Sequence, residues 1–101
     1  MFYVVNIGRN VGNEPMSQFD WTMFQLRTFE VLERYGKVVG SGKGSSEWDG
    51  IRESFVTYHV LIEETNTLAV ASRLSRLASA FDQEAIAFIP SSESCLVGPA
   101  K

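Results

Sequence analysis

Glu53-Ser54-Phe55-Val56-Thr57-Tyr58-His59-Val60-Leu61-Ile62 is the stretch on which the fold turns. It is rich in β-branched and aromatic side chains, as a long strand requires, and its period of two divides it into two faces. Glu53, Phe55, Thr57, His59 and Leu61 share one face; Ser54, Val56, Tyr58, Val60 and Ile62 share the other. Downstream, Glu63-Glu64-Thr65-Asn66 ends the strand and caps a helix. In that helix Val70, Ala71, Leu74, Leu77, Ala78 and Phe81 form an apolar stripe, while Ser72, Arg73, Ser75, Arg76 and Ser79 face water. Glu84 to Ile89 reads as a last strand, stopped by Pro90.

Upstream, Lys37-Val38-Val39-Gly40 begins a short strand that enters Ser41-Gly42-Lys43-Gly44-Ser45-Ser46. Together with Trp48-Asp49-Gly50 this glycine-rich stretch reads as a flexible hairpin connection. Before it, Ser17 stands three residues ahead of Asp20 and opens a helix. The buried stripe of that helix is Trp21, Phe24, Thr28, Val31, Leu32 and Tyr35. Gly36 follows the last turn, where a helix can stop with positive φ. Phe2 to Ile7 lacks a clean alternation and reads as a central strand covered on both faces. Gly8 to Pro15 is a loop, since glycine, asparagine and proline favour turns.

The order is therefore β-α-β-β-α-β. Right-handed crossovers and short hairpins turn it into an α+β, ferredoxin-like sandwich: one antiparallel sheet with both helices on one face. The other face lacks a cover. Either Glu53, Thr57 and His59 or Tyr58 and its neighbours lie on it, and a partner subunit or a ligand must occupy it.

Composition narrows the function. A chain of 101 residues is one domain, residues 1–101. Hydrophobic residues at 45% and charged residues at 21% are globular proportions. Twelve acids against nine bases leave a formal charge of −3, with the bases scattered, which argues against a nucleic-acid partner. Apolar runs such as Val60-Leu61-Ile62 fall far short of the ~20 residues of a membrane span. Phe2-Tyr3-Val4-Val5 follows Met1 with no basic region or cleavage site, so no signal peptide is expected and a cytoplasmic location is. One cysteine, Cys95, excludes an internal disulfide framework, and one histidine excludes most metal sites. Two Trp, three Tyr and seven Phe are many for so small a core and point to a subunit contact, hence a homo-oligomer. In the tail from about residue 90, Ser91-Ser92-Glu93-Ser94 is polar, but Cys95-Leu96-Val97 is apolar enough to dock on a neighbouring subunit.

Few side chains suggest chemistry. Cys95 has no partner base in the sequence and reads as inert filler. His59 in mid-strand reads as a packed imidazole. The Gly40–Ser46 stretch fails as a phosphate loop, because a strand and not a helix N-terminus follows it. Glu53 is more informative: its own-face neighbours are Phe55 and Thr57, not lysines, and a carboxylate beside aromatics suits a positively charged ligand. Gln83-Glu84, at the start of the last strand, would lie near the first strand in this fold. Arg9, after the first strand, is placed to hold a carboxylate bidentately.

At these residues the chain resembles a known family, the small phage-encoded S-adenosylmethionine-degrading enzymes, which are lyases. The resemblance runs in blocks over most of the chain. They are Phe2-Tyr3-Val4-Val5, Tyr35-Gly36-Lys37-Val38, Arg52-Glu53 after a glycine, Leu74-Ser75-Arg76-Leu77-Ala78, and Phe81-Asp82-Gln83-Glu84. It implies a ferredoxin-like subunit, a homotrimer in the host cytoplasm and a pocket between subunits. The implied reaction gives methylthioadenosine and homoserine lactone by attack of the substrate's own carboxylate, with no metal and no cofactor.

The resemblance makes Glu53 and Tyr58 the catalytic residues, with Glu53 positioning the ammonium or sulfonium end. Tyr58 or Trp48 would offer an aromatic face to the cation, and Gln83, Glu84 and the first strand around Asn6, with Tyr3 and Arg9, would bind the rest of the substrate. The chain departs from the family at Ile51, where a relative carries a tyrosine; Tyr58 or Tyr3 would have to substitute. Trp48, Gly50, Glu53, Phe81, Gln83 and Glu84 also fit the pattern of a small family of unknown chemistry. Other classes are a counter-defence binder that sequesters a nucleotide or host protein without turnover, and a plain structural homo-oligomer.

Overall fold

A computed structural model describes residues 1–91. The strands are β1 (Phe2–Gly8), β2 (Asn10–Val11), β3 (Glu14–Pro15), β4 (Gly36–Trp48), β5 (Ile51–Ile62) and β6 (Ala87–Ser91); the helices are α1 (Gln18–Tyr35) and α2 (Thr67–Ala80). Four strands form one antiparallel sheet in the order β4-β5-β1-β6, and β2-β3 is a separate small hairpin. Apart from that hairpin the order is the expected β-α-β-β-α-β, and the architecture is a ferredoxin-like α+β sandwich.

The register of β5 shows which of its faces is covered. Val56, Tyr58, Val60 and Ile62 are buried, as are Tyr3, Val5 and Ile7 of β1. They pack with Trp21, Phe24 and Leu32 of α1 and with Val70 and Leu74 of α2. Burial of each large apolar side chain contributes roughly 1.5–3 kcal/mol. Aromatic stacking tightens the two ends: Tyr3 lies on Phe88 at 4.6 Å and Phe24 on Phe81 at 4.8 Å between ring centroids. The helix starts as its sequence implies, with the Asp20 N–H donating to Ser17 Oγ at 3.1 Å.

Several local expectations are corrected. The glycine-rich stretch is no flexible connection but the body of β4, paired residue by residue with β5 down to Trp48 opposite Ile51. Asp49 and Gly50 alone make the turn, both with positive φ (54° and 79°), which matches the twist of the two strands. Pairing with β5 supplies the order that the glycines and serines do not. A bulge at Val39 breaks the register once. Gly36 is extended rather than left-handed: it begins β4 opposite Ile62, and a Cβ there would strike the Leu61 carbonyl oxygen and come within 2.9 Å of Ile62 Cγ1. β1 is covered on one face only, since Phe2 is exposed and Val4 and Asn6 are half-buried. A 3-10 turn, Glu64–Asn66, precedes α2, and Asn66 does not cap it; its amide instead donates to the Tyr35 carbonyl at 3.2 Å. Pro90 lies inside β6, an edge strand where a missing N–H is tolerated. The proposed docking of the 95–97 tail lies outside the described residues.

Candidate functional site

The uncovered face carries Glu53, Phe55, Thr57, His59 and Leu61 of β5 beside Phe2, Val4, Asn6 and Gly8 of β1. On β4, Gly40, Gly42 and Gly44 stand opposite His59, Thr57 and Phe55, so no side chain rises there. The Phe55 ring fills part of the space, lying where a Cβ on Gly44 would come to 2.6 Å from its Cζ. At the other end Phe2, Val4, Val39 and His59 border an apolar slot of about 210 Å³.

Where β1 ends, a second feature opens. The Arg9 N–H donates to the Ser54 carbonyl at 2.9 Å, which carries the chain one step past the sheet. The Asn10 N–H then donates to Glu53 Oε2 at 2.9 Å, and Asn10 Nδ2 donates to the Arg52 carbonyl at 3.1 Å. Glu53 can fold back this far because Gly8 has no side chain: a Cβ at Gly8 would run into the carboxyl group, within 2.8 Å of its Cδ. From the opposite side Gln83 Nε2 donates to the Asn10 carbonyl at 2.9 Å. The Gln83 segment is fixed by a tight end to α2, in which Gln83 N–H donates to the Ala78 carbonyl at 2.7 Å and Asp82 takes positive φ.

These contacts enclose a cleft of about 410 Å³ walled by Asn10, Glu53, Asp82, Gln83 and Glu84. Among the described residues its charged walls are all carboxylates. Asn10 Oδ1 is buried and has no hydrogen-bond partner among the described residues, which leaves its desolvation unoffset there. Three carboxylates around one cleft are chemically suited to a cation. No group of three His, Cys, Asp or Glu among the described residues could hold a metal ion, and no described helix is long and apolar enough to cross a membrane.

Of the residues singled out from the sequence, Glu53, Gln83 and Glu84 meet at this cleft, though 30 residues of chain separate the first from the second. The others do not. Tyr58 is on the helix side of the sheet, with its hydroxyl donating to the Gln25 carbonyl at 3.1 Å; burial pushes its pKa up from 10.0. It cannot stand beside Glu53, because adjacent parities of one strand point to opposite faces. Tyr3 is in the same core, sharing a hydrogen bond with Thr67 Oγ1 at 3.0 Å. Asn6 is on the open face, where its Oδ1 accepts from Thr57 Oγ1 at 2.8 Å. Arg9 donates through Nε to the Met16 carbonyl at 2.9 Å and does not line the cleft. Trp48 is at the tip of the β4–β5 arm, 85% exposed, and Ile51 pairs with it there.

Asn10 is the residue that sequence reasoning missed. Its loop placement gave no hint of an unpaired acceptor, and only the pairing of its backbone with Glu53 and Gln83 puts it at the centre. Compared with known proteins, the chain matches no family model and no curated sequence.

Proposed function

We propose that the chain is an S-adenosyl-L-methionine lyase whose substrate sits in the Glu53 cleft. The observation that carries this reading is the meeting of Glu53, Gln83 and Glu84 in one acid-walled cleft, with Glu53 held by a backbone N–H over a glycine. S-adenosylmethionine brings two positive groups, an ammonium and a sulfonium, and one carboxylate. With Oε2 engaged by Asn10, Glu53 keeps Oε1 for the α-ammonium.

The step needs no protein nucleophile. The substrate's carboxylate oxygen attacks its own γ-carbon, the bond from that carbon to sulfur breaks, and the electron pair leaves with neutral methylthioadenosine; the other product is homoserine lactone. Orientation is what the protein supplies, worth up to about 7–11 kcal/mol when the reacting atoms are held in line. Because opposite charges annihilate, excluding water accelerates the step. A single protomer leaves the cleft open on one side, so the reading includes a homo-oligomer, a trimer by the family resemblance, that closes it across the uncovered face. With Tyr58 and Tyr3 in the core, the aromatic surface for the sulfonium is Trp48, carried on the arm of a second copy.

Incubation of the purified chain with S-adenosylmethionine, followed by chromatography, should yield methylthioadenosine and homoserine lactone in equal amounts. Glu53→Gln should lower turnover at least tenfold with little change in melting temperature, since the amide oxygen still accepts from Asn10. Saturable binding with no product would replace the lyase by the sequestering protein. Neither product nor binding would remove the substrate altogether.

A further inference from the structure

On the far side of the molecule, the outer surface of the two helices carries a feature of opposite sign. Arg27, Val31 and Arg34 recur along one stripe of α1 at spacings of four and three, and Arg73 and Leu77 face them from α2. They border a groove of about 300 Å³. Arg27 donates to Glu30 Oε1 at 3.1 Å, and Arg34 lies over the Tyr35 ring at 5.7 Å from its centroid, which orients its guanidinium. Among the described residues Arg34 and Arg73 form no ion pair. Three arginines and one glutamate give the groove a charge of +2. The whole chain carries −3, so everything outside the groove sums to −5. A concentrated positive site on a negative molecule focuses anions at that point.

We infer that this groove binds a polyphosphate chain, free or carried by a nucleoside, independently of the Glu53 cleft. Guanidinium forks match phosphate oxygens two at a time, and three arginines from two helices border this one groove, which favours a ligand with more than one phosphate. The groove is too small to seat a helix or strand of another protein. Its walls are helices whose backbone groups are already bonded internally, so an extended acidic peptide would gain no main-chain partners there. Val31, Leu77 and Tyr35 offer only a short apolar edge, enough for a base or ribose beside the phosphates.

The test is calorimetric titration of the full chain at low ionic strength with inorganic triphosphate and, separately, with magnesium-free ATP. Triphosphate should bind with one site per chain, and raising salt should weaken it steeply. Arg73→Ala and Arg34→Ala should each weaken it about tenfold, and Arg73→Lys should restore only part of the loss. Glu30→Gln should tighten binding a few-fold by releasing Arg27. Equal affinity for the two probes identifies the phosphate chain alone as what is read; tighter ATP identifies a nucleoside polyphosphate. The inference is overturned by three results: no saturable heat with either probe, affinities unmoved in both arginine-to-alanine variants, or tighter binding of a glutamate-rich peptide than of triphosphate.

Discussion

Ile62 and Leu61 are neighbours in one strand, yet the first is fully buried and the second 41% exposed. The same contrast runs along β5 from Val56 to Ile62. Its even-numbered residues from Val56 onward, all apolar or aromatic, pack in the core against the helices, whereas the odd-numbered ones mix Leu61 and Phe55 with His59, Thr57 and Glu53. The covered face therefore holds the fold together, and the open face carries what is left over for recognition. Packing density enforces the first role, since a close-packed interior tolerates neither a void nor an unpaired polar group. Glu53 can stand without an ion pair among the described residues because it belongs to the second face.

Single substitutions can break this division or sharpen it. The largest effect is expected at Ile62→Ala, which leaves a cavity under both helices and should cost about 2–5 kcal/mol of stability, read from denaturant unfolding. A loss under 1 kcal/mol would mean that the covered face is not close-packed there. Tyr58→Phe is smaller, about 0.5–1.5 kcal/mol, because it removes one hydrogen bond to a carbonyl that α1 still satisfies and opens no cavity. Tyr58 also gives a pH signature. Its raised pKa means that its contribution is fully present below the unfolded value of 10.0 and is lost as pH rises past that point through the folded value. Melting temperatures should accordingly fall more steeply above pH 10 in the wild type than in Tyr58→Phe; parallel curves would show that the hydroxyl ionises freely. Leu61→Ser should be the mildest for the protomer, within about 0.5 kcal/mol. If the open face is the subunit contact of the proposed enzyme, the same change should lower the assembly state measured by light scattering, and an unchanged assembly would take Leu61 out of that contact.

Much of this arrangement was legible in the residue order. The two faces of β5 were sorted correctly by alternation alone, and the α1 and α2 stripes by their three- and four-residue spacing, because side-chain direction in a regular element is a local property. Asp49-Gly50 carried the signal for a two-residue hairpin, but Gly40, Gly42 and Gly44 masked it: their weak strand preference is overridden only by pairing with β5. The candidate site was legible in part. Glu53 stood out as a carboxylate with no lysine on its own face, and Gln83 and Glu84 as residues the fold brings near the first strand, whereas Tyr58 was taken as the aromatic substitute for the tyrosine missing at Ile51, although odd and even positions of a strand face opposite ways.

From its own order of residues, then, the chain determined its elements, their sequence along the sheet and which residues share a side. Tertiary structure decided which side is sheltered, where the Glu53 carboxylate rests and what surrounds it. The reason is that local patterning records only relative orientation. The Asn10 N–H, the bare Cα of Gly8 and the Gln83 amide reach one place through contacts between residues far apart in the chain, and no period in the sequence encodes those distances.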